Sequence, residues 1–198
     1  MANTSKSVAT TTIGYMCLAL TGWMISMPNA SWFSRSYSYG EGMLYPLAMV
    51  LAVMGILSFL QGRGLDAIIF FGGTGLFWSN YVHLSAGSNA GFVDPPSYAG
   101  WYVFIWAVFF CYVWLGSFKS GIIRFLFLLG LWLTLLALAI GNWGSLHGIT
   151  ILGGYLGLIT SILAAIVSAF DVINYGRKVG DPNRDAATEL STPAPRAA

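Results

Sequence analysis

Residues 121–140 read GIIRFLFLLGLWLTLLALAI, with a single charge, Arg124, near the start. A hydrocarbon core about 30 Å thick needs roughly 20 apolar residues at about 1.5 Å rise per residue, and this stretch meets that requirement by itself. Five more windows of similar character lie at 11–29, 41–60, 65–85, 98–117 and 148–173. They are separated by Ser-, Gly-, Asn- and Pro-rich stretches that read as turns and short loops: Asn29 to Gly40, Gln61 to Gly64, Gly87 to Ser97, Gly116 to Gly121 and Gly141 to Gly148. The fold class is therefore an all-α polytopic membrane protein, six transmembrane helices in one bundle. The expected organisation is an N-terminal cytoplasmic segment at 1–10, a six-helix transmembrane domain at 11–173, and a cytoplasmic, disordered tail at 174–198.

The whole composition agrees. Of 198 residues, 57% are hydrophobic and 8% charged, with a mean hydropathy of +0.71, whereas soluble domains carry about 25% charged residues. The cations sit at the ends of apolar segments and form no basic stripe, so no nucleic-acid partner is expected; the lipid bilayer is. Cys17 and Cys111 lie within apolar runs and read as small hydrophobes. Lys6 ahead of the first apolar run gives a signal peptide as a rival reading, but Pro28 fits poorly with a small-x-small cleavage site.

Positive residues near span ends are retained in the cytoplasm. Lys6, Arg63, Lys119, Arg124, Arg177, Lys178, Arg184 and Arg196 fall on one side and Arg35 alone on the other, which puts both termini in the cytoplasm. Trp32, Tyr37, Tyr39, Tyr81, Tyr98, Trp101 and Trp143 gather at the opposite ends, as an outer aromatic belt does.

Titratable groups deep in a span mark proton or ion paths. Glu41, Asp66, Arg124 and Asp171 lie within a turn or two of a span end and are expected to reach water or headgroups, so a proton pump with a mid-membrane carboxylate is disfavoured. His83 and His147 sit near outer ends, where imidazole can sense pH or simply face water. No histidine pair at helical spacing, no Gly-x-Ser-x-Gly elbow and no carboxylate pair on one helix face occurs, so neither an enzyme nor a metal or cofactor site is expected.

Three spans carry informative periodicity. In the sixth, Thr150, Gly153, Gly157, Ser161, Ala164 and Ser168 make a stripe of small side chains that either packs a neighbouring helix closely or leaves a lumen. In the third, Gly72, Gly75 and Ser79 share one face, and Phe70, Thr74, Phe77 and Tyr81 another, an aromatic-flanked hydroxyl suited to a narrow apolar passage. In the fifth, Leu131, Leu135 and Leu138 lead to Asn142, a candidate hydrophobic constriction beneath an amide.

The run Phe70-Phe71-Gly72-Gly73-Thr74-Gly75-Leu76-Phe77-Trp78 resembles the third-helix S-Y-G-x-F-W signature of the acetate uptake transporters, the succinate-acetate permease family. Ala139-Ile140-Gly141-Asn142, Gly154-Tyr155-Leu156-Gly157-Leu158-Ile159 and Asp171-Val172-Ile173-Asn174 match in order, over about residues 10 to 178. The resemblance implies a bacterial inner-membrane homo-hexamer in which each protomer has its own pore for a small carboxylate, acetate foremost and succinate next. It places the constriction at Leu18, Thr74 and Leu131 and the sixth-helix selectivity position at Ala164, and the helical stripes read above add Phe77, Tyr81, Leu135 and Asn142 along the path. The chain departs from the family pattern. Ala9-Thr10-Thr11-Thr12-Ile13-Gly14 stands where the family has N-P-A-P-L-G, Thr74 replaces a tyrosine and Leu18 a phenylalanine, and the second-helix Gln and Glu are missing. A wider or more polar gate is the expectation. The alternatives are a channel for urea and short amides, which would carry flux without current, and a non-transporting sensor or assembly protein with no continuous lumen.

Overall fold

In the computed structural model, which describes residues 2–33, 39–90 and 96–179, these residues form six helices. They are α1 (Ala2–Asn29), α2 (Tyr39–Leu60), α3 (Gly64–Ala90), α4 (Pro96–Gly116), α5 (Ile122–Trp143) and α6 (His147–Val179). Each covers one of the six windows read from the sequence to within one residue. Arg35, Tyr37, Asp94, Pro95 and the tail from Gly180 lie outside the described residues, as do the side chains of Lys6, Tyr39, Glu41, Arg177 and Lys178. The expected tail boundary at 174 moves, because α6 continues through Val179.

Among the described residues, five helices are long and apolar enough to cross a membrane, and α3 is the helix that falls short. Its glycines, Asp66, Thr74, Ser79 and Asn80 lower its hydropathy, and its position explains why a span can tolerate them. α3 gives the bundle interior Ala67, Ile69, Phe70, Leu76 and Phe77, all buried, so its polar groups meet protein instead of lipid.

The turns follow local chemistry. Gly62 ends α2 at φ 73°, and the Arg63 amide donates to the Ser58 carbonyl at 2.9 Å, a Schellman closure that needs a left-handed residue. α1 and α5 close in the same way but with serine in that role. Ser31 has φ 61° with Trp32 N donating to Met27 O, and Ser145 has φ 50° with Leu146 N donating to Gly141 O. Ser145→Gly is therefore expected to raise the unfolding temperature, gaining about 0.5–1 kcal/mol once glycine's larger unfolded-state entropy is subtracted from the relieved strain. Thermal unfolding in detergent checks it.

Packing runs as a ring: α1 lies against α6, α6 against α5, α5 against α4, and the α2–α3 hairpin joins through α2 on α1. The small-residue stripe of α6 lets α1 and α5 approach. A Cβ built on Gly22 would meet Ser161 Oγ at 2.6 Å, one on Gly153 would meet Leu138 Cδ2 at 2.9 Å, and Ser168 Oγ donates across to the Thr12 carbonyl at 2.9 Å. At Gly154 the neighbour is backbone: a Cβ there would lie 2.5 Å from the Asn29 carbonyl carbon and 2.7 Å from Ala30 Cα. Backbone cannot rotate away, so Gly154→Ala is expected to cost about 1–3 kcal/mol and to splay the outer end of α1, visible as a lower unfolding temperature.

The face of α3 formed by Gly72, Gly75 and Ser79 receives aromatic rings of the antiparallel α4. Cβ atoms at Gly72 and Gly75 would run into the rings of Phe109 and Trp106, and Ser79 Oγ meets Tyr102 Oη at 2.6 Å. That seam fixes which face of α3 remains for the interior.

Candidate functional site

Inside the ring lies a cavity of about 300 Å³, at the small end of ligand pockets. Every helix contributes to its wall. Leu18, Gly22, Ile25, Ser26, Pro28 and Asn29 come from α1, Leu44 from α2, and Gly73, Leu76, Phe77, Asn80 and His83 from α3. Ala99, Tyr102, Val103 and Phe110 come from α4, Phe127, Leu131, Thr134, Leu135, Leu138 and Asn142 from α5, and Gly157, Thr160 and Ser161 from α6. Its polar groups are amides, hydroxyls and one imidazole; none of these described lining residues is Asp, Glu, Lys or Arg.

The α5 wall repeats at helical spacing. Phe127, Leu131, Leu135 and Leu138 face the cavity in succession, with Thr134 beside them and Asn142 at the outer end. Asn142, Pro28 and Asn29 also line an open pocket on the outer side, with Ser31, Trp32, Ser145, His147 and Thr150. The cavity thus leads outward through an amide-flanked mouth. In the other direction it ends at Leu18, Phe110 and Phe127, beyond which Tyr15 packs edge-on against Phe70 at 5.3 Å and Phe127 at 5.7 Å. Tyr15 and Phe70 are fully buried.

Below that aromatic plug lies a feature the sequence reading did not anticipate. Asp66 was expected to reach water, yet it is only 4% exposed. One carboxylate oxygen accepts the Tyr15 hydroxyl at 3.1 Å and lies 3.6 Å from Arg124, while the other accepts from Arg63 at 2.6 Å. Arg124 also lies 3.6 Å from Asp171, and its guanidinium sits 5.5 Å from the centre of the Tyr15 ring. Arg63 further donates to Thr11. The expectation of snorkelling is corrected for a simple reason: aspartate has too short a side chain to climb out of a helix interface, so two arginines with long stems come to it. The cluster ties α1, α3, α5 and α6 together at the end that carries the bundle's positive charge.

Of the residues singled out from the sequence, Leu18, Phe77, Leu131, Leu135 and Asn142 come together on the cavity wall. Thr74, Tyr81 and Ala164 are not on it. Thr74 donates to its own helix at the Phe70 carbonyl, 2.9 Å away, and the adjacent Gly73 is what α3 presents beside Leu18, where a Cβ would lie 2.7 Å from Leu18 Cδ2. Tyr81 packs its ring on Tyr45, 5.4 Å between centroids, and Ala164 is fully buried in the core. His83 is on the wall and His147 in the outer pocket. Asn29, Asn80, Tyr102, Thr134 and Thr160 were missed. Asn80 carried a usable signal, an amide inside a span one turn from the Phe77 position, whereas the hydroxyls are common in helices and carried none.

The arrangement has a solved counterpart. The structure of the bacterial acetate channel SatP superimposes with a TM-score of 0.79, covering 84% of this chain and 93% of that one at 20% identity. The chain has the SatP fold. That neighbour is a channel. In sequence, the chain is 29% identical over 168 residues to Accumulation of dyads protein 2 of Saccharomyces cerevisiae, covering 77% of this chain and 56% of the yeast protein, so it spans about half the length of that curated relative. No family model matches the chain. It is a multi-pass membrane protein.

Proposed function

We propose that the chain is a divergent member of the acetate uptake transporter family, a channel for acetate and related short carboxylates with one pore in each protomer of a hexamer. The carrying observation is the cavity itself: a partly open pocket lined from an amide-flanked outer mouth to an apolar floor of Leu18, Phe110 and Phe127, inside a bundle with the acetate-channel fold. A carboxylate would exchange part of its hydration for Asn29, Asn80 and Asn142 amides, pass the leucines of α5, and leave once the Tyr15–Phe70–Phe127 plug and the Asp66 cluster beneath it part. Desolvating an anion costs several kcal/mol, so the polar mouth must precede the apolar ring. The reading places the protein in the cytoplasmic membrane.

A second reading has one observation in its favour. The uncharged wall suits urea or short amides, which need hydrogen bonds but no countercharge. Uptake of radiolabelled acetate into proteoliposomes at neutral pH, with urea in parallel and empty liposomes as control, separates the two. Saturable acetate uptake supports the carboxylate reading. Urea uptake without acetate uptake overturns it, and movement of neither turns the assignment to a non-transporting protein.

A further inference from the structure

The two arginines and two aspartates beneath the plug are not bound alike. Arg63 donates to Asp66 at 2.6 Å, a hydrogen-bonded pair. Arg124, reaching in from α5, lies 3.6 Å from Asp66 and 3.6 Å from Asp171, distances at which charges attract but no hydrogen bond forms. The Asp171 oxygen that faces it, Oδ2, is buried without a hydrogen bond. Resting on the carboxylate reading above, we infer that Arg124 is a second carboxylate site at the inner end of the path, where Asp171 stands in for the substrate and gives way to it.

The place of Arg124 on α5 supports this. It precedes Phe127 by three residues, so the two are neighbours on one helix face, and Phe127 belongs to the cavity floor. The guanidinium sits 5.5 Å from the centre of the Tyr15 ring, which packs against Phe70 and Phe127 in the plug. A carboxylate that parts the plug therefore emerges between an aromatic ring and a guanidinium. That planar fork binds a carboxylate through two parallel N–H donors, a geometry that neither aspartate supplies to Arg124 here. The anion reaches it after the apolar ring, with part of its water removed, where attraction to a unit charge is strongest.

Of the two aspartates, Asp171 is the one that can yield. Asp66 is buried and also holds the Tyr15 hydroxyl and Arg63. Asp171 keeps 26% of its side chain exposed, and its Oδ2 is tied to Arg124 by charge alone. Replacing one carboxylate by another leaves the charge beside Arg124 unchanged, so the exchange strands no cation. An uncharged solute gains nothing from it.

The test is equilibrium binding of isotopically labelled acetate to the full chain in detergent at neutral pH, read from NMR line broadening, with acetamide as the uncharged probe of similar shape. Asp171→Asn removes the rival carboxylate and keeps its shape, and should tighten acetate binding about fivefold; Arg124→Gln should weaken it about tenfold, the effect of losing a charge-assisted pair. Acetamide should bind both variants as it binds the wild type. Both substitutions break the same Arg124–Asp171 pair, so a purely structural tie would move acetate binding in one direction. That result, or acetate binding unchanged in either variant, overturns the inference. Arg124→Lys keeps the charge without the fork and should fall between glutamine and the wild type; together with Asp171→Asn it serves as the test if the glutamine variant does not elute from gel filtration as the wild type does. Any of these failures with acetate uptake retained by the wild type leaves the carboxylate reading standing. A wild type that neither binds nor takes up acetate removes that reading, and this inference with it.

Discussion

Leu131→Trp is expected to bring acetate uptake in proteoliposomes down to the level of empty vesicles, a loss of tenfold or more, with the protein still folded. Leu131 is half-buried on the cavity wall between Phe127 and Leu135, at the level where Leu18 and Gly73 close in from α1 and α3. The space there is confined: the whole cavity is about 300 Å³, and Leu131 packs against the core cluster that holds Leu18, Phe127 and Leu135. An indole at this position projects into the cavity, so it fills the path before it strains the helix packing. Leu126→Trp is the matched control, since Leu126 lies on the same helix but is 40% exposed on the outer surface of the bundle, where lipid accommodates a larger ring. Wild-type flux in Leu126→Trp with none in Leu131→Trp would locate the path on the inner face of α5. Undiminished uptake in Leu131→Trp would place the path elsewhere.

The second large effect concerns stability. Asp66→Ala is expected to cost about 3–5 kcal/mol, because it strands two arginines and a buried tyrosine hydroxyl that share one carboxylate. The alanine variant should unfold well below the wild type in a thermal series in detergent, and Asp66→Asn, which keeps the shape and an acceptor for Tyr15 but loses the charge, should fall between them. The order wild type, asparagine, alanine is the expected result. Equal unfolding temperatures would mean that Arg63 and Arg124 find other partners without cost. Because the cluster lies under the Tyr15–Phe70–Phe127 plug, Asp66→Asn is also the variant in which to look for altered flux.

How much of this could be read beforehand differs by residue. Hydropathy and turn chemistry alone located the six helices, because a membrane span is defined by transfer of a whole segment out of water and Gly62 or Gly121 breaks a helix by its own backbone preference. Asp66 shows where such reading stops. Its distance from the span end in sequence suggested exposure, while its surroundings, Tyr15 from α1 and Arg124 from α5, come from positions 51 and 58 residues away.

The wall of the cavity shows the same boundary. Leu131, Leu135 and Asn142 stood out as a stripe, and the small residues of α3 and α6 as packing faces, since helical period depends only on sequence. Which face looks inward did not. In a soluble bundle the polar face points to water and orients each helix. Here the lipid side is as apolar as the core, so Phe77 on the cavity and Phe71 on the outer surface look alike until neighbouring helices are in place. The aromatic seam of α4 on Gly72 and Gly75 is what turns α3, bringing Gly73, Asn80 and His83 to the cavity and leaving Thr74 off it. The sequence by itself determined the number and approximate positions of the helices, because solvent transfer acts on each segment separately; the tertiary structure decided the rotation of each helix, and with it the pore wall and the buried ion cluster, because rotation is set by contacts between segments.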